Sequence, residues 1–359
     1  MIKTTVNSDQ HITRRPLRNI NPRIFSARAL CLGIGLAATA VATTLSSAGE
    51  PSIIEDIFAV DAPFAIGHRG SGNNQGEDPT RPLENTRDSV QDAFKDGISI
   101  VEVDVQITSD GKVVTFHDDF LSDYSCINAM TFKELKKRTE DVSLLKNVLN
   151  TARSYRHRHN GPSGLMIVEM KAPAPLCDPG DVTELAYVSA VIDVIRERDM
   201  EDQVLLESFS PTLLQIAATL APEIERALAV NIIQFLSPEQ VEAATGLLVT
   251  VIDKNDFGLQ WGEIGQLYRL PGYQSIEQFI GVSFALGARA VTLDSLLLFQ
   301  AELTTPGSGA ALVSTLQSFG FPVLAFTLNT EFEWQFAESM GVDGIITDNI
   351  PLGLELQGN

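Results

Sequence analysis

The chain has 359 residues, 44% of them hydrophobic, and a formal net charge of −20 at pH 7. That is enough apolar material for one large barrel or two ordinary domains. The first 48 residues carry six Lys/Arg against one Asp, a surplus of five, so −20 becomes −25 without them, and a body this acidic repels nucleic acid and anionic membranes.

Residues 1–28 are polar and basic, with Arg14, Arg15, Arg18, Arg23 and Arg28 against a single acid, Asp9. Ala29–Leu45 is apolar and uncharged, and Ser46-Ser47-Ala48 supplies small residues for cleavage. The pattern is that of an export signal cut after Ala48, which sends the body to the periplasm or outside the cell. The alternative is a retained anchor formed by residues 29–47, since the apolar run is near the minimum that spans a bilayer. A membrane partner is expected only through this segment. Without it, Cys126 and Cys177 remain, either as a disulfide suited to an oxidising compartment or as two separate thiols. Residues 49–62 read as a linker and residues 63–355 as one domain.

The domain opens on a short apolar strand, Phe64–Gly67, ending in His68-Arg69-Gly70. Gly70 permits a tight turn. Arg69 carries a planar fork suited to phosphate, and His68 suits general acid or base work near neutrality. A helix over Thr86–Asp96 leads to a strand over Ile98–Thr108. Side chains two apart on a strand share a face, so Val101, Val103 and Val105 point one way and Glu102 and Asp104 the other. Two carboxylates held together among β-branched residues call for a positive partner, such as a hard divalent cation, Ca²⁺ or Mg²⁺; a strand with a polar outer face is the plainer alternative. Asp110-Gly111 predicts a hairpin that returns Val113–Phe116 antiparallel and carries His117 towards Glu102 and Asp104.

Further strands are predicted at Leu165–Glu169, Val204–Glu207, Ala227–Val230, Ala290–Leu293, Val323–Thr327 and Gly344–Thr347. Helices fit Leu144–Tyr155, Val182–Glu197, Pro211–Leu220, Pro238–Ala244, Ile276–Leu286, Ala310–Phe319 and Phe332–Met340. Strands and helices in alternation make this an α/β chain, and apart from the hairpin strand after the second the strands are those of a (β/α)8 barrel of the TIM type; an open doubly wound sheet is the runner-up. The region Asn231–Ala288 is longer than one crossover needs and predicts a helical excursion between strands five and six. Functional groups gather at strand ends in a barrel. Glu169 and Lys171 stand two apart at one strand end, and Glu207, Asp294, Asn329 and Asp348 each lie at another; Asp348 reads equally as a turn or helix cap.

Taken together, Gly67-His68-Arg69-Gly70, Glu84-Asn85-Thr86, Glu102-Val103-Asp104-Val105, Thr108-Ser109-Asp110-Gly111, His117-Asp118, Glu169-Met170-Lys171, Ser208-Phe209 and Gly341-Val342-Asp343-Gly344-Ile345-Ile346-Thr347-Asp348 resemble, in order, the pattern of the glycerophosphodiester phosphodiesterases. The resemblance runs from about Phe64 to Pro351. It implies a (β/α)8 barrel, one divalent cation, and hydrolysis of a small glycerophosphodiester to an alcohol and glycerol 3-phosphate. By residue it implies metal ligands at Glu102, Asp104 and Glu169, with Glu84 less secure as a fourth. It also implies acid/base roles for His68 and His117, phosphate contact by Arg69 and a positive charge from Lys171; Asn329, at a strand end, is a further candidate.

Three features depart from the pattern. Ser71–Leu83 is an insert relative to compact bacterial members, read as a lid or a determinant of substrate choice. Phe326-Thr327-Leu328-Asn329 has Phe where the family often has Trp, which keeps an aromatic wall and loses an indole donor. Asp348-Asn349-Ile350-Pro351 carries one extra residue before proline. Water and the substrate's own glycerol hydroxyl are both open as the nucleophile. Two other classes compete: a phospholipase-D-like lipid hydrolase using an apolar groove at Phe257, Trp261, Leu267 and Tyr268, and a non-catalytic binding protein, against which the His68/His117 pair speaks.

Overall fold

The computed structural model describes residues 53–58, 63–156, 164–172, 177, 182–235 and 273–357. Among these the strands, in chain order, are β1 (Phe64–Gly67), β2 (Ile100–Ile107), β3 (Val113–Thr115), β4 (Ser143–Leu144), β5 (Leu165–Met170), β6 (Val204–Ser208), β7 (Glu225–Val230), β8 (Ala290–Asp294), β9 (Val323–Phe326) and β10 (Gly344–Thr347). The helices are α1 (Ile53–Phe58), α2 (Arg87–Asp96), α3 (Phe132–Leu135), α4 (Leu145–Arg156), α5 (Glu184–Arg196), α6 (Pro211–Leu220), α7 (Ile276–Ala285), α8 (Ser295–Thr304), α9 (Ser308–Ser318), α10 (Glu331–Ser339) and α11 (Ile350–Leu356).

The parallel strands follow the order β1-β10-β9-β8-β7-β6-β5-β2, and β1 pairs back onto β2 through Ile66↔Ile100 and Gly67↔Val101. This closes the expected (β/α)8 barrel. The hairpin strand β3 pairs antiparallel with β2, as the Asp-Gly turn predicts, and a further strand, β4, pairs with β3. A separate apolar cluster of Val114, Phe116, Leu121, Ile127, Met130, Leu135 and Val142 underlies this extension.

The period-two pattern of β2 sorts its side chains into two cores. Val101, Val103 and Val105 join the shell between strands and helices, with Val90, Leu145 and Val191. Ile100 lies in a second cluster inside the barrel, with Phe64, Ile66, Leu165, Ile167, Leu205 and Leu324. Glu102 and Asp104 share the face of Ile100 and so stand above this apolar floor. The register continues the layer across the barrel, Asp104 beside Glu169 and Glu169 beside Glu207.

Several elements differ from expectation. Part of the stretch read as a linker is helix α1, whose Ile57 is buried in the interior cluster and whose Phe58 meets Phe64 edge-on at 5.5 Å. Its sequence, IIEDIF, is too short to show helical periodicity, so only its burial reveals it. The crossover from β8 to β9 holds two helices instead of one. Residues 296–299 of α8 are four consecutive apolar residues, which hides the amphipathic rhythm, although Asp294 caps the helix by accepting the Leu296 amide. The closing α11 was not expected either; Asn349 caps it and Pro351 stands in its first turn.

Cys126 and Cys177 are joined in a disulfide, with Cα atoms 5.6 Å apart. Between strands five and six the described residues hold a 3₁₀ turn at Ile232–Phe235 and helix α7; residues 236–272, with Pro238–Ala244 and the groove residues Phe257, Trp261, Leu267 and Tyr268, lie outside them. The proposed export signal or anchor lies outside them as well. Among the described residues no helix is long and apolar enough to cross a membrane.

Candidate active site

The site forms where β1, β2 and β5 end, and local backbone geometry fixes its inner wall. Arg69 sits at φ 50° and Gly70 at φ 99°, turning the chain sharply after β1. A Cβ at position 70 would collide with the hydroxyl of Ser89, so glycine is required there. The turn aims the Arg69 amide at Glu102 Oε2, 2.9 Å away, and the Gly70 amide at the Glu102 carbonyl. Asn85, also left-handed at φ 55°, makes a reciprocal pair with Asp104. Its Nδ2 donates to Asp104 Oδ2 at 2.8 Å, and its Oδ1 accepts the Asp104 amide at 2.9 Å. Thr115 on β3 donates to the Asn85 carbonyl, tying the hairpin to this turn.

Glu102, Asp104 and Glu169 each bring a carboxylate oxygen within 4.8 Å of the others, and all three are buried. Lys171 Nζ bridges Asp104 Oδ1 and Glu169 Oε1 at 2.9 Å each. Arg69 Nη1 pairs with Glu84 Oε1 at 2.9 Å, and its Nε lies 3.5 Å from Asp104 Oδ2. Both cations expected to meet phosphate are thus held against carboxylates. Glu84, expected as a weaker fourth ligand, is instead engaged with Arg69 and with the Asn74 amide and is not among the converging oxygens.

The charges respond to one another. Burial raises the Glu102 carboxyl well above its ordinary range, reinforced by Asp104 and Glu169. Asp104 shows the reverse: burial opposes its charge, but Lys171, His117 and Arg69 hold it well below the ordinary range. Burial lifts Glu169 to about 7 against the pull of Lys171. Glu102 Oε1 is buried and has no hydrogen-bond partner among the described residues. An all-oxygen donor set with excess buried negative charge and an orphaned carboxylate oxygen fits a hard divalent cation.

The two histidines are anchored alike. His68 Nδ1 lies 2.7 Å from Asp348 Oδ1, and His117 Nδ1 lies 2.7 Å from Asp118 Oδ1. Gln106 on β2 donates to the carbonyls of Phe116, His117 and Asp118, which sets the strand end that carries His117. Burial, then the positive charges of Arg69 and Lys171, push the His117 imidazole down to about 4.

Some participants were not legible as such. Asp348 reads equally as a turn or helix cap, yet His68 Nδ1 meets its Oδ1 and Asn329 Nδ2 donates to its Oδ2 at 2.8 Å. Asp294, by contrast, is a helix cap. Glu207 is buried above the floor, accepts the Thr292 hydroxyl, and is lifted to about 8 by burial and then by Glu169. Its place at a strand end was the one available signal. The insert 71–83 is knitted around the Asn74 side chain. Its Nδ2 donates to the carbonyls of Asp78, Arg81 and Pro82, and its Oδ1 accepts the amides of Gly76 and Asp78. Across the barrel Phe209 meets Phe326 edge-on at 5.6 Å, giving the aromatic wall expected near Thr327.

Comparison with known proteins adds a family match, a relative and two solved structures. The profile of the Glycerophosphoryl diester phosphodiesterase family matches residues 68–352. A lysophospholipase D of Mus musculus is 23% identical over 300 residues, covering 78% of this chain and 78% of its own. Among solved structures, an Oleispira antarctica phosphodiesterase in complex with the product sn-glycerol-3-phosphate superposes with a TM-score of 0.54 at 21% identity, covering 82% of this chain and 97% of its own. A glycerophosphodiester phosphodiesterase from Parabacteroides distasonis gives 0.56 at 17% identity, covering 83% and 97%. At these identities the structures speak to the barrel fold.

Proposed function

This chain belongs to the glycerophosphoryl diester phosphodiesterase family and is a glycerophosphodiester phosphodiesterase; from that premise we propose that Glu102, Asp104 and Glu169 hold one divalent cation, Ca²⁺ or Mg²⁺, and that His68 and His117 act as general acid and base. The products are an alcohol and glycerol 3-phosphate. The observation that carries the proposal is the convergence of three buried carboxylates, two buried cations and two carboxylate-anchored histidines at one end of the barrel.

A cation bound there supplies positive charge to the phosphate oxygens, where charge builds as the diester is attacked. The Arg69 fork and the Lys171 ammonium, positioned by Asp104, add to that charge and orient the phosphate. One histidine accepts the proton of the attacking hydroxyl, either from water, which gives glycerol 3-phosphate directly, or from the substrate's glycerol, which gives a cyclic phosphate that water then opens to glycerol 3-phosphate. The other returns a proton to the departing alkoxide, each transfer contributing about 10²–10⁴-fold. His117 is held low by burial and then by Arg69 and Lys171. An anionic phosphate between those cations offsets their effect and raises its affinity for a proton.

The test is release of glycerol 3-phosphate from glycerophosphocholine by the full chain, with EDTA and then with Ca²⁺ or Mg²⁺ restored. Chelator-sensitive release that a metal rescues is the expected result. Lysophospholipid is the second substrate class, favoured by the name of the mouse relative; cleavage of lysophosphatidylcholine without release from glycerophosphocholine would move the assignment there. Export of the protein is proposed on the basic-then-apolar N-terminus and the Cys126–Cys177 disulfide, which suits an oxidising compartment; recovery of the chain solely with cytosolic markers would remove that proposal.

A further inference from the structure

Asp348 receives three donors on two oxygens. Oδ1 takes His68 Nδ1 and the Asn73 amide, each at 2.7 Å, and Oδ2 takes Asn329 Nδ2 at 2.8 Å. Asn329 cannot reverse its amide, because its Oδ1 accepts the Asp348 backbone amide at 2.7 Å and the Thr347 hydroxyl at 3.3 Å. The insert approaches the same spot from the other side. Gly72 lies so close to the Asp348 carbonyl that a Cβ would collide with it, and Arg81 Nη2 donates to the Ser71 carbonyl and reaches the Asp348 carbonyl at 3.5 Å.

Only a carboxylate with acceptors on both oxygens satisfies this set. The groups that meet the Asp348 carboxylate, the Asn73 amide and Asn329 Nδ2, are donors and the carboxylate can only accept, so the proton on the His68 ring belongs on Nδ1, which faces it. The hydrogen bonds from His68, Asn73 and Asn329, against the opposing effect of burial, keep the Asp348 carboxyl well below its ordinary range. Asp118, the partner of His117, is half exposed, and among the described residues no comparable ring of donors surrounds it.

We propose that Asp348, braced by Asn329 and by the inserted segment 71–83, is a positioning residue that locks His68 in the Nδ1–H tautomer and leaves the Nε2 lone pair as the proton acceptor. The insert is then a scaffold for one histidine, in place of the lid its length suggests. This deepens the reading of His68 as a general acid or base and rests on it. An amide at position 348 cannot reproduce the arrangement. With its NH₂ towards Asn329, two amide donors face each other; with its NH₂ towards His68, it meets the ring proton and the Asn73 amide.

The experiment is ¹⁵N NMR of the histidine rings in the full chain, with the His68 signals assigned by their loss in His68→Gln, alongside kcat and KM for glycerophosphocholine. In the wild type Nδ1 carries the proton. In Asp348→Asn the Nε2–H tautomer becomes populated and kcat falls by about 10²–10⁴-fold, with KM shifted far less. Asn329→Ala, which leaves the carboxylate in place but removes one brace, gives a smaller shift in the same direction and serves if Asp348→Asn fails to fold. A wild-type ring protonated on Nε2, or an unchanged tautomer and kcat in folded variants, overturns the inference and leaves the catalytic reading standing. Undiminished glycerol 3-phosphate release by His68→Gln would instead overturn the catalytic reading.

Discussion

Asp104 and Glu207 are both carboxyls buried in one barrel layer, and they titrate in opposite directions because of what lies within reach. Asp104 has Lys171 and Arg69 at ion-pair distance; Glu207 has the Thr292 hydroxyl and the like charge of Glu169. A pKa of about 8 for Glu207, above the unfolded value of 4.5, means that the folded chain keeps a proton the unfolded chain gives up. Its contribution to stability is therefore full below pH 4.5 and declines as pH rises towards 8. Glu207→Gln, which keeps an acceptor for Thr292, is expected to raise Tm at pH 8 more than at pH 5; an equal change at both would contradict the assignment. At the site, His117→Ala is expected to lower kcat about 10²–10⁴-fold with calcium titration unchanged, and wild-type turnover in that variant would remove His117 from the chemistry. The pair Glu102 and Asp104 was legible because strand alternation displays it within three residues. The roles of Asp348 and Asn85 were not, since His68 and Asp348 are 280 positions apart and no local pattern joins them.

Elements with a clear period were legible; α8 and α11 were not, although Asp294 and Asn349 cap them. Thr86 ends the turn that carries Glu84 and Asn85 and caps α2 by accepting the Ser89 amide. Thr86→Ala should cost about 1 kcal/mol, read as a lower Tm, and no loss of stability would show that the cap is dispensable. The hairpin β2–β3 was announced by Asp110-Gly111, whereas α8 was hidden by its run of apolar residues and β4 by being two residues long. The insert was visible as extra length only; the turn at Gly76–Asp78 is held by one buried side chain, Asn74. Asn74→Ala should therefore quicken amide exchange at Gly76 and Asp78 while the strands of the barrel keep their protection. Protection lost evenly across the barrel would show that Asn74 serves the fold at large.

At the scale of the molecule, eight strands with helices between them made the barrel legible, but the covalent tie and the steric tie that complete it depend on long-range contact. The disulfide closes a separation of 51 residues, for which the chain-entropy model gives about 4 kcal/mol. Cys126→Ser with Cys177→Ser should lower Tm, and an unchanged Tm would mean that the surrounding packing already fixes both loops. The other tie is α1, whose Ile57 completes the interior cluster beneath the carboxylates; fully burying such a side chain is worth about 1.5–3 kcal/mol. Anyone drawing boundaries for recombinant expression from the family match would start at residue 68, and would discard both α1 and the whole of β1. Such a fragment would lose a stave and the stopper of the cask together, leaving Ile100, Leu165 and Leu205 open to water, and would precipitate for reasons unrelated to its catalytic residues. A gene fragment beginning ahead of Ile53 keeps the base of the barrel sealed.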